Sequence, residues 1–475
     1  MGQPDSYRLS SFWQRASAWS QDHILRRVLR NSSYLFLSNA VSALMVILTS
    51  RLLGVASFGA LGAITGFVTG INRLLSFRMS DVVVRYMGEY MARKEYDRAA
   101  ALVKAAGMLE GLTSIAAFGV LVLLAPLGAQ YIIKDPGVTP LILLYGLSIL
   151  GNITTETATG VLQVTNHYRS QALINLIQTV IVAAIITAAF FTHTGLAMVV
   201  TAYLIGKIIL GLMPIAVALY HMGKLFGQRW WRADLHLLPP RRELVRFALS
   251  TNFSGTVNLI VRDSEVLWIS YFLNTTFAGY YKAALTLIQL VVMPITPFVN
   301  TTYPELNRAI VLRQWERLRS LIRRITTIAG AWTGFAALGL ILLGRQVIFT
   351  PWSFFGQPVL LFGKAFSPFK PSFMPAYPAL LILLIGFGMA NILFWNRSLC
   401  LALGLPDYPL KVYVWGAAAK VALAFLLVPA AGDNGYLVEA GLLSGFFVVT
   451  VGLTVWRGLS EVRRISALEP VGAVE

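Results

Sequence analysis

The chain has 475 residues, of which 56% are hydrophobic and only 13% charged. Soluble domains carry about 25% charged residues, so this composition excludes a water-soluble core-and-shell fold and implies a surface that mostly faces lipid. The formal charge of +18 would point to nucleic acid in a soluble chain, but its placement below assigns it to membrane topology, and no nucleic-acid partner is expected.

Residues 1–30 have no continuous apolar stretch and no small-residue cleavage site, so they do not read as a cleavable signal peptide. Phe12, Trp13, Trp19, Ile24 and Leu25, interleaved with Arg15, Arg26 and Arg27, predict an interfacial helix on an anionic leaflet. Windows of about 20 apolar residues, enough to cross about 30 Å of hydrocarbon, then recur along the chain. They predict an all-α integral membrane protein with twelve spans. These lie at about 33–53, 57–77, 106–126, 139–161, 171–192, 196–218, 248–272, 277–302, 324–344, 377–400, 409–429 and 436–456. Basic clusters at Arg8–Arg30, Arg78–Lys104, Lys224–Arg246, Arg308–Arg324 and Arg457–Arg464 fall on one side of this arrangement. The opposite loops hold only Lys134, Arg345, Lys364 and Lys370, with Arg51 at a span end. The positive-inside rule then predicts cytoplasmic N- and C-termini. Attraction to anionic headgroups is a further effect of the excess charge.

An ungapped repeat is visible at an offset of 219 residues. It pairs Asn39 with Asn258, Leu48 with Leu267 and Phe58 with Phe277, and Glu95-Tyr96-Asp97-Arg98 with Gln314-Trp315-Glu316-Arg317. The connector matches are polar, which chance similarity among apolar spans does not explain. Both copies start from the same side, so the repeat is parallel and predicts two six-helix lobes around a central cavity. The expected division is an N-terminal segment 1–30, an N-lobe 31–222, a linker 223–246, a C-lobe 247–458 and a tail 459–475. Region 345–376 carries Pro351, Pro358, Pro368, Pro371 and Pro375 and is too broken for a span; it is expected to be an external loop or re-entrant hairpin.

Charge at membrane depth is expensive and marks internal paths or sites. In span two, Gly62, Gly66, Gly70 and Arg73 share a helix face, so Arg73 is expected to point into the bundle. Span four carries Asn152, Thr155, Glu156, Thr159, Gln163 and Asn166 along one face, and span five Gln171, Asn175 and Gln178. Span seven offers Thr251, Gly255, Asn258, Arg262 and Glu265, and span eight Lys282, Thr286, Gln289, Thr296 and Asn300. Stripes of this length predict a hydrated cavity. Arg73, Arg262, Lys282, Arg397, Asn258, Gln289, Asn152 and Gln163 are the candidate cavity residues. Lys420 and Lys207 rank below them. Bland alternatives stand beside these: Arg262 and Glu265, three apart, neutralise each other, or Lys282 snorkels to the surface. Asp263 pairs with Lys282 or Arg73, or serves as an ion-coupling carboxylate. The lone cysteine, Cys400, excludes an intramolecular disulfide, and His167 and His193 stand alone, so no metal or cofactor is expected. No GxxxxGK[ST], HExxH, GxSxG or Asp-rich loop occurs, which favours transport over enzymatic chemistry.

Arg51-Leu52-Leu53-Gly54 followed by Phe58-Gly59, and then Val84-Arg85-Tyr86-Met87-Gly88-Glu89-Tyr90, resemble the Wzx-type polysaccharide flippases of the multidrug/oligosaccharidyl-lipid/polysaccharide exporter superfamily. The second lobe adds Asp263, Ala278-Gly279-Tyr280-Tyr281 and Tyr303-Pro304-Glu305-Leu306, so the resemblance covers about residues 30–460. Residues 350–375 depart from the usual compact loop. The resemblance implies a bacterial inner-membrane transporter that moves undecaprenyl-pyrophosphate-linked oligosaccharide (an O-antigen, capsule or exopolysaccharide unit) to the periplasmic leaflet. Its implied partners are that lipid, membrane lipids, and the polymerase and glycosyltransferases of the same pathway. Arg and Lys in a cavity suit the pyrophosphate. Without a nucleotide motif, ion coupling is expected, with Asp263, Glu265 and Glu156 as candidates. Alternatives are a peptidoglycan-precursor flippase or a drug/cation exporter of the same fold, and, further off, a membrane glycan polymerase or ligase.

Overall fold

The computed structural model describes residues 23–238, 252 and 255–468, apart from 355–356, 359, 362–363 and 366. Phe12, Trp13, Arg15 and Trp19, Thr251, the linker beyond 238 and the tail beyond 468 lie outside the described residues.

The first two expected spans form one helical run, α1 (His23–Leu75), divided by Gly54 at φ 71°. A glycine adopts that left-handed backbone without a Cβ clash, so the RLLG segment works as a hinge between two limbs. Val46 on the first limb and Gly62 on the second both reach the same later helix, beside Thr286 and Lys282 respectively. Next come α2 (Tyr96–Leu127), α3 (Thr139–Gly151), α4 (Thr155–Val164), α5 (Tyr168–Phe191) and α6 (Leu196–Phe226). The fourth expected span is therefore broken, at 152–154, into α3 and α4. In the second half a π-helical turn, Leu259–Asp263, leads into α7 (Glu265–Phe272). It is followed by α8 (Thr275–Val292), α9 (Thr296–Val311), α10 (Trp315–Phe349), α11 (Ala376–Ile392), α12 (Asn396–Ala402), α13 (Asp407–Ala430) and α14 (Gly435–Leu468).

Ten helical runs among the described residues are long and apolar enough to cross a bilayer. That number takes both limbs of α1 as one run and omits span seven, which is described only in part. The outer surface is apolar: Leu123, Phe335 and Trp415 are 76%, 74% and 75% exposed. Such exposure of large side chains is stable only against lipid.

The sequence repeat is a structural repeat. Lys94 and Arg313, 219 residues apart, both take a left-handed conformation (φ 61° and 53°) immediately before α2 and α10. Glu95 N donates to Tyr90 O at 2.9 Å, and Gln314 N to Ala309 O at 2.8 Å, so the same turn precedes both helices. Later left-handed turns also correspond. Asn166 and Gly404 are 238 residues apart and His193 and Gly432 are 239 apart. The change in offset falls across the Pro-rich region, which is thus an insertion in the second copy.

The halves meet where α1 crosses α8. A Cβ on Gly59 would overlap the carbonyl of Thr275, and one on Gly279 would overlap the carbonyl of Val55. The contact is reciprocal, glycine of each copy against backbone of the other, as a pseudo-twofold relation requires. At the same end the insertion packs inward. Two short antiparallel pairs, Ser353–Phe354 with Gln357–Pro358 and Leu360–Leu361 with Lys364–Ala365, lie in the chain between Phe349 and Phe369, which are buried together with Phe373. Phe373 meets the edge of Phe58 on α1 at 5.8 Å, and Arg51 donates to the carbonyl of Ser367. Through these contacts the segment reaches α1 of the first half.

Replacing Gly59 by Ala should lower the thermal midpoint of the purified protein by the equivalent of about 1–3 kcal/mol, the usual range for overpacking. Gly70→Ala, where a Cβ meets nothing within 4 Å, should leave the midpoint unchanged in the same detergent.

Candidate functional site

A cavity of about 200 Å3 opens inside the N-terminal half, lined by Arg73, Arg78, Glu110, Asn152, Glu156 and Lys207. Its floor exists because the fourth span breaks. Asn152 leaves α3 at φ −107°, and its Nδ2 donates to Ser148 O at 2.6 Å and Lys207 O at 3.2 Å. The N-terminus of α4 that this break exposes is capped from another helix. Glu110 on α2 accepts from Glu156 N and Thr157 N, both at 2.9 Å, and from Thr157 Oγ1 at 2.6 Å. A carboxylate at the positive end of a helix satisfies donors that would otherwise be orphaned. This accounts for an acid that is 2% exposed in an apolar span.

Two of the cavity's three cations are already paired. Arg73 binds Asp263, on the π turn of the other half, so this pair joins the lobes. Arg78 Nε lies 3.4 Å from Glu156 Oε1, Ser80 Oγ donates to Glu156 Oε2 at 2.7 Å, and Arg78 N donates to Asn252 Oδ1 at 2.8 Å. Lys207 makes no ion pair among the described residues and faces the cavity beside Arg73. Gln163 is half-buried, further along α4 and outside this lining.

The second half supplies a facing wall. Arg262 lines a space of about 270 Å3 with Ser42, Thr286, Gln289 and Thr296, its guanidinium 5.6 Å from the centre of the Phe387 ring. Asn258 accepts from Tyr413 Oη at 2.5 Å, and Arg262, Asp263 and Arg397 lie within Coulomb range of that phenol. Lys282 is elsewhere. Its ammonium sits 4.5 Å over the Phe58 ring and its stem fills the space above Gly62. It neither snorkels outward nor enters one of the described cavities.

Arg262 and Glu265 do not neutralise each other. The π turn rotates them apart, and Glu265 is fully buried with Lys420 of α13. Lys420 also contacts Glu439 of α14, and Tyr281 Oη donates to Glu265 Oε2 at 2.6 Å. Among the ion-coupling candidates, then, Asp263 and Glu156 hold arginines at the cavity, and Glu265 belongs to a separate buried cluster.

Residues 28–309 match the polysaccharide biosynthesis protein family, which is more than half of the chain. The chain belongs to that family. It is 20% identical over 450 residues to the "Probable flippase AglR" of Haloferax volcanii, covering 91% of this chain and 82% of that protein. Among solved structures it is similar to a multidrug resistance MATE family transporter of the MOP superfamily in an inward-facing conformation. That match has a TM-score of 0.68 at 14% identity and covers 92% of this chain and 96% of the other. It is also similar to the lipid II flippase MurJ in an inward closed conformation, at TM-score 0.67 and 14% identity, covering 92% and 89%. These neighbours share its fold, two lobes of six helices.

In this family member, sequence patterning points to Arg73, Arg262, Asn152 and Gln289 as cavity residues and to Glu156 as an ion-coupling carboxylate, and all five line the two spaces. It ranks Lys207 and Lys420 low and misses Glu110 and Glu439. A lone ionisable residue in an apolar run is the only signal for those two, because their partners come from distant helices.

The two kinds of ion pair should respond differently to truncation. Arg73 and Asp263 are 40% and 39% exposed, so a double-mutant cycle on unfolding should give a coupling below about 1 kcal/mol. Lys420→Met leaves two buried carboxylates without their cation and should destabilise by about 3–5 kcal/mol, read as the loss of unfolding free energy in the same detergent.

Proposed function

We propose that this protein is a flippase for polyprenyl-pyrophosphate-linked oligosaccharide, moving it from the cytoplasmic to the periplasmic leaflet of the bacterial inner membrane by alternating access. One observation carries the reading: Arg73, in the cavity of the N-terminal half, is held by Asp263 of the other lobe, a carboxylate that an anionic headgroup would displace, and Arg262 lines a second space between the two halves. Lys207 and Arg262 have no ion pair among the described residues.

A pyrophosphate cannot shed water into hydrocarbon without replacement donors, and Arg offers a planar fork suited to phosphate oxygens. Phosphate entering beside Lys207 competes with Asp263 for Arg73. Loss of that pair removes one tie between the lobes at the end rich in basic residues. The glycan hydrogen-bonds Asn152, Asn258 and Gln289, while the polyprenyl chain stays in lipid. Basic clusters on the same side as Arg78 support cytoplasmic termini. Family membership and the resemblance to a named flippase support the cargo class. Export of organic cations is disfavoured, because the charge left unpaired at the cavity walls is positive. A peptidoglycan-precursor flippase would use the same cations, and supplying each glycan lipid in parallel separates the two readings.

Leaflet-resolved detection of lipid-linked glycan in proteoliposomes tests the proposal, and no acceleration over protein-free vesicles overturns it. Arg73→Ala and Lys207→Ala should each slow flipping by about 10-fold or more, the value of one charge-assisted hydrogen bond. Arg73→Lys, which keeps the charge but not the fork, should lose less. Equal rates in Arg73→Ala and the wild type would remove Arg73 from the site.

A further inference from the structure

The buried cluster in the C-terminal half takes no part in the cavity. Glu265, Lys420 and Glu439 come from α7, α13 and α14 and have side-chain exposures of 0%, 2% and 0%. Two carboxylates share one ammonium, so with every group ionised the cluster carries an uncompensated negative charge at a buried position. Buried charge without a counter-charge is strongly unfavourable.

Hydrogen bonding distinguishes the two carboxylates. Lys420 Nζ donates to Glu265 Oε1 at 2.5 Å and also to Glu439 Oε1. Glu265 Oε2 accepts from Tyr281 Oη, so both oxygens of Glu265 are satisfied as a carboxylate. Glu439 Oε2 is buried and has no partner. Among the described residues, the charged groups acting on Glu265 are Lys420 and Glu439, and those acting on Lys420 are Glu265 and Glu439. Helix α11 carries no Asp, Glu, Lys, Arg or His. The remaining cation of α8, Lys282, is turned to Phe58, and Tyr436 Oη is engaged with Pro375 O at 3.0 Å.

We propose that Glu265, Lys420 and Glu439 form a proton-binding site that takes one proton on its carboxylate pair, and that this proton is the coupling ion. The step is a simple protonation: the carboxylate pair gains one proton from water and the cluster goes from net −1 to neutral. Because the two carboxylates interact, the proton belongs to the pair as a unit. Metal cations are excluded by construction. A hard cation needs a shell of oxygen ligands, and the centre of this shell is filled by a tethered ammonium. Assigning the proton to coupling rests on the flippase reading; the proton site itself does not.

The test uses the purified full-length protein, without cargo, in lipid nanodiscs. Infrared spectra at neutral pH should show the carbonyl band of a protonated carboxylic acid. The band should vanish in Glu439→Gln and persist in Glu89→Gln, an exposed control paired with Arg93. The folded state holds a proton that the unfolded chain releases, so wild-type stability should fall as pH rises, and Glu439→Gln should flatten that slope. Sodium should leave the thermal midpoint of the wild type unchanged. A band that survives in Glu439→Gln, or a sodium-dependent rise in the midpoint, overturns the proposal; the sodium and pH series need no variant. In proteoliposomes, an imposed pH gradient should accelerate flipping in the wild type but not in Glu439→Gln. Flipping driven by sodium instead would sink proton coupling and leave the flippase reading standing. The infrared result without any flipping would do the reverse.

Discussion

An ionisable side chain at membrane depth has to meet a counter-charge, a ring face or a wet cavity, because hydrocarbon provides none of the hydration it loses. The architecture here can be followed from how that constraint is met. Arg73 is answered by Asp263 across the lobes, Arg78 by Glu156 within one lobe, and Lys282 by the face of Phe58. Lys420 is answered by two acids at once. Glu110 is answered by the exposed amides of a broken helix. The last case shows the constraint shaping the backbone: a carboxylate on α2 holds the break in span four, and that break opens the cavity to which Asn152 and Glu156 belong.

Mobility between lobes needs contacts that are close but few in kind. The reciprocal crossing of Gly59 and Gly279 lets two backbones touch without interlocking side chains, a way of packing that suits membrane helices, where burial against lipid gives no hydrophobic drive. At the opposite end the tie is electrostatic and partly solvated, through Arg73–Asp263, and so is weak and exchangeable. The halves thus meet through a packed backbone crossing at one end and an ion pair at the other. The inserted segment 345–376 adds Phe373 against Phe58 at the packed end, giving this chain an extra contact across the lobes.

Much of the plan was legible in the residues. Span lengths, the parallel repeat and the direction of Arg73 follow from period and composition, and Lys94 and Arg313 take up matching left-handed turns where the polar connectors align. The side-chain partners were less legible. Arg262 and Glu265 lie three apart and would share a face on a regular helix; one π turn, Leu259–Asp263, separates them. Helical-wheel reasoning assumes a constant rotation per residue, and it fails where that rotation changes. Gln163 falls outside the cavity for a related reason, since its span is two helices and not one.

What the sequence by itself determined is the membrane character, the two-copy arrangement and the residue types at depth, because hydropathy, repeat offset and charge are local properties read along one dimension. What only the tertiary structure decided is which charges are spent on each other and which have no ion pair among the described residues. Lys207 stays unpaired among the described residues while Arg73 and Arg78 do not, and Glu439, 19 residues beyond Lys420, meets it from the next helix. Pairing depends on distances between helices, set by glycine crossings, helix breaks and π turns acting together, and no single stretch of the chain contains that information.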